Sequence, residues 1–441
     1  MMKSNKTWIV KRIAAVGLVI CLALSMAACS KGLVGNLIDP NTKEITDNMQ
    51  KVQYDFAGPI YDNRDFDEED ASKHITEFSL RLFEESLKNV EQSSSNVLIS
   101  PTSVINAIGM ITYGMDGDTL TQLQETFEMS RGHLNYYNHQ YNHIEDNSKK
   151  LKIANSIWIS NAGHLTVRDE FLHFNNQFYD AEIYETAFDE KTAGSINRWI
   201  EEKTDGTIKK MLDQIPEDAV IYLINALVFE AEWEEKYNDY QIWEDSIFTN
   251  SEGKQEKVDM MSSGEGLYLE DEYARGFIKY YKDRDYAFVA LLPNEDVEIS
   301  EYAENLSGEH IQELLTNPQE AIVHARIPQF SYEYTIEMSE ALQNMGIKDA
   351  FDVEKADFTN MATSTEGNLF ISRVLHKTYI ELTPVGTKAG AATVVEMNCG
   401  AAMSPEQPEI KEVYLDRPFI YMIIDCDTNV PVFIGSVNSV E

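Results

Sequence analysis

The residues best placed to do chemistry lie near the C-terminus. Gly386 to Ala402 is a run of seventeen residues, most of them Gly, Ala, Thr or Val, charged only at Lys388 and Glu396. Gly and β-branched residues lose backbone or rotamer freedom in a helix, so the run is a poor helix former. As an extended strand it has two unlike faces. Thr387, Ala389, Ala391, Thr393 and Val395 share one side, and Lys388, Gly390, Ala392, Val394 and Glu396 the other. The first side is small and uncharged and can be buried between strands, while the second can stay wet. Taken alone, the run reads first as a flexible Ala/Gly linker and second as a strand able to slide into a sheet.

Other reactive side chains form weaker patterns. His139 and His143 are four residues apart in a Tyr/Asn-rich stretch that also holds His133. That spacing could bind zinc from one helical face, but no His-Glu-x-x-His pattern accompanies it, so a solvated surface is expected and no metal or other cofactor. No Gly-x-Ser-x-Gly elbow or phosphate-cradling Gly loop supports a hydrolase or nucleotide enzyme. Of the four cysteines, Cys21 lies in an N-terminal leader and Cys29 stands just after it, at a position read below as modified, which leaves Cys399 and Cys426 and no disulfide framework.

These segments need a large body to position them. With 441 residues, 43% apolar and 25% charged, the chain is globular and can bury a sizeable core. Thirty-six Lys and Arg face 74 Asp and Glu, a net charge of -38. Such a surface repels phosphate backbones and anionic headgroups, so nucleic acid is excluded as a partner. No solenoid period is visible.

The N-terminus is read as an export leader. Lys3, Lys6, Lys11 and Arg12 precede an apolar run from Ile13 to Leu24, followed by Ser25-Met-Ala-Ala-Cys29. The run is shorter than the ~20 residues that a membrane-spanning helix needs, and small residues at its end suit a signal peptidase. Met26-Ala-Ala-Cys29 resembles the lipobox of bacterial lipoproteins, with Met where Leu is commoner. That resemblance implies cleavage before Cys29 and lipid, including palmitate, on its thiol. It would anchor the protein outside the cytoplasmic membrane of a bacterial cell. Losing residues 1–28 removes four positive charges and no acidic ones, leaving -42.

After the leader, residues 29–72 carry Gly, Pro and the acidic run Asp65 to Asp70 without sustained periodicity, and read as a surface tether. Residues 73–441 read as one domain. Ile75, Phe78, Leu82, Phe83 and Leu87 recur at helical spacing, Val97 to Ile99 is a short strand, and Ser100-Pro101 starts a helix. Ile153 to Ile159, Ala219 to Phe229 and Tyr286 to Leu292 are apolar enough for strands covered on both faces. Thr335 to Met345 returns to helical spacing, and Pro418 to Ile424 with Val430 to Val437 suggests a closing hairpin. The mixture is α+β.

Seven blocks then identify a family: Asn96-Val-Leu-Ile-Ser-Pro-Thr-Ser103, Asn225-Ala-Leu-Val-Phe-Glu-Ala-Glu-Trp233, Ile327-Pro-Gln-Phe330, Ala356-Asp-Phe-Thr-Asn-Met361, His376-Lys377, Gly386-Thr-Lys-Ala-Gly-Ala-Ala-Thr393 and Arg417-Pro-Phe419. In this order the chain resembles a serpin over Ile75 to Val437. The resemblance implies a fold of three β-sheets and eight or nine helices with an exposed reactive-centre loop. It also implies suicide inhibition of extracellular serine proteases, with cysteine proteases as a second class, by a secreted or surface-anchored monomer that is not an enzyme. A carrier or binding role on the same fold is the alternative, and a substrate-binding lipoprotein a distant third.

On that resemblance the hinge is Gly386, Thr387, Lys388, Ala389, Gly390, Ala391, Ala392 and Thr393, and the scissile bond follows Gly400, before Ala401, with Cys399, Ala402 and Met403 as alternatives. Small residues there suit the shallow primary pockets of elastase-like or subtilisin-like proteases. Ser100, Ser103, Asn225 and His376 match a polar cluster under the central strands, and Trp233 an aromatic at the top of the sheet opening. One departure stands out. Where the family pairs an acidic residue with a Lys, this chain has Pro384 and Gln329, so both charges are missing together and neither is orphaned.

Overall fold

A computed structural model describes residues 16–25, 42–45, 56, 60–89, 95–142, 150–206, 208–216, 219–387 and 409–441. In chain order the strands and α-helices are β1 (Val16–Ser25), β2 (Lys43–Glu44), α1 (Glu68–Lys88), β3 (Val97–Ile99), α2 (Pro101–Thr112), α3 (Gly117–Phe127), α4 (Arg131–Asn142), β4 (Leu151–Ser160), β5 (Leu165–Val167), α5 (Asp169–Tyr179), β6 (Glu182–Thr186), α6 (Glu190–Lys203), β7 (Ala219–Phe229) and β8 (Ala231–Glu232). Then come β9 (Ile242–Thr249), β10 (Gln255–Glu270), β11 (Ala274–Tyr280), β12 (Tyr286–Pro293), α7 (Ile299–Glu304), α8 (Gly308–Thr316), β13 (Gln319–Pro328), β14 (Phe330–Glu337), α9 (Ser339–Met345), β15 (Ala362–Ser364), β16 (Leu369–Leu382), β17 (Gly386–Thr387), β18 (Ile410–Tyr414), β19 (Phe419–Asp425) and β20 (Pro431–Val437).

Among the described residues these strands form three sheets, two large and one of only two strands, which is the α+β architecture expected. The sheet that matters here runs β2-β6-β4-β7-β1-β16, with β17 and β8 continuing at one end and β14 against β16. The other large sheet contains the hairpin β19–β20 and the long strand β10. Every residue of β7 is buried, in keeping with an apolar run covered on both faces.

The centre of the first sheet is unusual. The apolar run near the N-terminus forms β1, lying parallel to both neighbours, with Leu22 opposite Asn225 on one side and His376 on the other. The strands β7 and β16 therefore run in the same direction and stand one strand apart. Among the described residues no helix is long and apolar enough to cross a membrane.

Two expectations change in detail. The stretch Thr335 to Met345 divides: β14 persists to Glu337 and α9 begins only at Ser339. The alternation of Phe330, Tyr332, Tyr334 and Ile336 has period two, and pairing with β16 overrides local helical spacing. The segment 29–72 is also not simply a tether. Lys43 and Glu44 pair with β6 at the sheet edge, and α1 starts at Glu68. The acidic run is the start of that helix: Asp67 accepts from the Glu69 and Asp70 amides, and acidic residues fill the first turn, where the macrodipole favours them.

Phe56 from the same segment is buried and packs edge-on against Tyr113, Phe174 and Phe178, at centroid distances of 5.7, 5.4 and 5.7 Å. Nearby, Asn135 donates to the Ile60 carbonyl at 2.7 Å. Phe56→Ala should leave a cavity among these rings and cost about 3 kcal/mol of unfolding free energy. Urea denaturation reads this directly, and a loss below about 1 kcal/mol would show that the segment contributes little to the fold.

Candidate functional site

The site is the seam between β7 and β16 together with the chain that leaves the end of β16. Beneath the middle of the seam lies a polar cluster supplied by four elements. Ser100 caps α2, with its hydroxyl accepting from the Ser103 amide at 3.3 Å and Pro101 in the first turn. The Ser103 hydroxyl donates to Asn225 on β7 at 2.5 Å. Asn225 donates to Asn155 on β4 at 2.8 Å, and Asn155 to the Tyr179 carbonyl at 2.7 Å. The Ser100 amide donates to His376 Nε2 on β16 at 3.1 Å, which places the imidazole proton on Nδ1. These bonds bring Ser100, Ser103, Asn225 and His376 together. Asn155 and Tyr179 were not anticipated, although an Asn inside the apolar strand Leu151–Ser160 was a visible signal.

Burial pushes the His376 pKa down to about 3, from an ordinary 6.5. The unfolded chain binds a proton near pH 6.5 that the folded chain refuses until about pH 3, so stability falls as the pH falls through that window.

At the top of the seam the chain reverses tightly after β16. Thr383 and Gly386 exchange backbone hydrogen bonds at 3.0 and 3.2 Å, and β17 then enters the sheet between β16 and β8. Leu382 lies opposite Thr387 in an antiparallel register, and Thr387 faces Ala231 on the other side. Only glycine fits before it: a Cβ on Gly386 would meet the Ala231 carbonyl oxygen at 2.1 Å. Thr387 is 2% exposed, and its hydroxyl hydrogen-bonds that of Tyr281. Trp233 stacks on Tyr281 at 4.5 Å and donates its indole N–H to the Thr383 carbonyl at 2.9 Å. Trp233 therefore stands beside the turn that follows β16.

The missing charge pair is accommodated without orphans. The Gln329 amide donates to the Asp259 carbonyl, and the Pro384 carbonyl accepts from the Tyr237 amide, each at 2.9 Å. The expected hinge residues Lys388, Ala389, Gly390, Ala391, Ala392 and Thr393, the expected scissile positions Cys399, Gly400, Ala401, Ala402 and Met403, the expected lipid acceptor Cys29, and His143 lie outside the described residues. His139 sits on α4 against the rings of Tyr61 and Phe178. Among the described residues no group of three His, Cys, Asp or Glu could hold a metal. Cys426 is a half-buried free thiol.

A three-sheet α+β body whose last central strand feeds a small-residue segment back into the sheet defines a narrow class of protein. The chain belongs to the serpin family: the family model "Serpin (serine protease inhibitor)" matches residues 73–440. Human Serpin B3 is 28% identical over 398 residues, covering 83% of this chain and 99% of its own. The native-state crystal structure of tengpin, a thermophilic serpin, superposes with a TM-score of 0.80 at 39% identity, covering 90% of this chain and 100% of that one. Human thyroxine-binding globulin complexed with its hormone shares the fold at a TM-score of 0.72 and 22% identity, over 85% and 99% of the two chains. Serpins are generally protease inhibitors and not enzymes.

The titration of His376 has a measurable consequence. Between pH 6.5 and 3 it should contribute up to about 1.4 kcal/mol of stability loss per pH unit. Urea unfolding from pH 7 to pH 4 should show a shallower pH dependence in His376→Gln than in the parent, and identical slopes would mean that the imidazole is not buried neutral.

Proposed function

We propose that the protein is a suicide-substrate inhibitor of extracellular serine proteases with small primary pockets, elastase-like or subtilisin-like. Its serpin membership makes protease inhibition the general expectation. The observation that supports it in this chain is the position of Gly386–Thr387, in line with the seam and already in ladder register with β16. Carried down that ladder, Thr387, Ala389, Ala391, Thr393 and Val395 would face Leu382, Ile380, Thr378, His376 and Val374. Those five β16 residues are all buried, each 1% exposed or less. The small uncharged face of the loop is therefore the one that would turn inward. The same register reaches Leu369, at the far end of β16, with residue 400, or with 399 if the bulge at Ser372 persists. An inserted loop would thus carry residue 400 down the sheet by about 40 Å.

The chemistry follows from that displacement. The Ser Oγ of the protease attacks the Gly400 carbonyl, the Gly400–Ala401 bond breaks, and the Ala401 amine leaves as a new N-terminus while Gly400 stays on the enzyme as an ester. Insertion of the freed loop then competes with attack of water on the ester. A protease dragged along the sheet loses the alignment of its oxyanion donors, and the ester persists. Small residues from Cys399 to Ala402 match shallow pockets and give trypsin-like enzymes no basic side chain to hold. The proposal includes removal of residues 1–28 and lipidation of Cys29, which would present the inhibitor on the outer face of a bacterial membrane.

Pro384 and Gln329 favour a second reading, a non-inhibitory carrier on the same fold, of which thyroxine-binding globulin is an instance. Mixing the mature protein with pancreatic elastase separates the two. An adduct that survives SDS, together with a loop-cut form that melts well above the intact form, is the expected result; cleavage with no adduct and equal melting temperatures would favour the carrier.

Ala389→Arg gives a second expectation. Thr387 is already in the sheet of the intact protein, so burying an unpaired guanidinium at the next inward position opposes insertion by several kcal/mol. The variant should be cut at the parental bond while forming few adducts, and parental adduct yield would refute the assignment of the inward face.

A further inference from the structure

Behind the hinge lies a buried charge pair that none of the family blocks contains. Lys279 on β11 has a side chain only 3% exposed, and its ammonium donates to Glu265 on β10 at 2.8 Å, with Glu265 itself 12% exposed. Glu265 also accepts from Ser263 at 2.6 Å, and the Ser263 hydroxyl lies 3.2 Å from that of Tyr237. The ammonium sits over two rings, 4.7 Å from the centroid of Tyr237 and 5.4 Å from that of Trp233. Burial works against the charge, and the attraction of its neighbours, Glu265 among them, outweighs that and holds Lys279 above its ordinary pKa.

Those two rings belong to the residues that grip the hinge. The Trp233 amide donates to the Val385 carbonyl and the Tyr237 amide to the Pro384 carbonyl, both at 2.9 Å, and the Trp233 indole takes the Thr383 carbonyl. Three successive carbonyls of the turn that starts the loop are thus held by two aromatic residues, and one buried cation faces both of their rings. A cation over a ring, desolvated and ion-paired on its other side, fixes the ring plane. Anchoring both rings restrains the short backbone from Trp233 to Tyr237, whose two amides hold the turn.

We propose that Lys279 and Glu265 are positioning residues for the hinge: a buried clamp that holds Trp233 and Tyr237, and through them Thr383 to Val385, in the place of the charge pair missing at Pro384 and Gln329. The clamp keeps the loop from entering the sheet until cleavage releases it. This consequence for insertion rests on the inhibitory reading, whereas the grip on the hinge is a property of the intact protein and is measured separately.

The test is hydrogen exchange on the intact mature protein, followed at the Trp233 and Tyr237 amides. Lys279→Met should raise exchange there by about tenfold, the size expected for losing a coupled buried contact. The Ile434 amide in β20, remote from the clamp, should be unchanged. Lys279→Arg should return most of the protection, because it keeps the cation over the rings. Equal loosening at Ile434 would mean that Lys279 serves the general fold, and unchanged exchange at Trp233 and Tyr237 would remove the clamp; either outcome overturns the proposal. For insertion, Lys279→Met should lower the melting temperature of the intact form while leaving that of the loop-cut form at the parental value. Equal lowering of both forms again overturns the clamp. If the parental cut and intact forms melt together, the inhibitory reading fails while the exchange result still decides the grip.

Discussion

Two strands, β7 and β16, run in the same direction at the middle of a sheet and stand one strand apart, and each presents an inner row of N–H and C=O groups. Such groups must find partners, because water reaches the centre of a covered sheet poorly and an unpaired buried amide or carbonyl costs about 1–3 kcal/mol. In the full chain β1 meets the need over most of the seam, and β17 meets it at the top. A parallel pair left without a strand between them would have to close on each other or take up another segment. The polar cluster lies beneath that seam, and Trp233 and Tyr237 hold the turn at its top.

The polar cluster bears on how readily the seam can change state. Core hydrophobes would glue β7 and β16 to α2 without preference for one spacing. Ser103, Asn225, Asn155 and His376 instead form directional bonds that join α2 to three strands. Each of these bonds nets roughly 1 kcal/mol when made and costs more when broken inside the core. A seam held this way has discrete arrangements. The neutral imidazole of His376 belongs to the same logic, since a charge there would be stranded among apolar neighbours.

Most of the body was legible because its signals are local. Ser100 followed by Pro101 reads as a capped helix start, and Ala219 to Phe229 as a buried strand, from adjacent residues alone. The partners of the hinge were not legible. Lys279 stands in Phe277-Ile-Lys-Tyr280 as a single cation in an apolar run, which is ordinarily a solvent-facing position of an edge strand. Only the register between β10 and β11, joined by a hairpin, brings it to Glu265. The pairing of Lys43 and Glu44 with β6 likewise depends on a sheet edge more than a hundred residues away, and nothing in residues 29–72 announces it. The blocks that identify the family gave the positions of Ser100, Ser103, Asn225, Trp233 and His376, whereas Asn155 and Tyr281 emerged from geometry.

Strand β1 shows what the seam demands of an occupant. Val16–Ser25 runs parallel to β7 and β16, opposite to the sense in which β17 pairs with β16. Strand addition in such a gap is held largely by main-chain hydrogen bonds. Selectivity then falls to tethering: the segment joined to the end of β16 by a four-residue turn is present at high effective concentration, whereas any other strand must arrive from afar. Trimming the N-terminus would change which tethered segment holds priority, so the removal of residues 1–28 proposed above would act on the sheet itself.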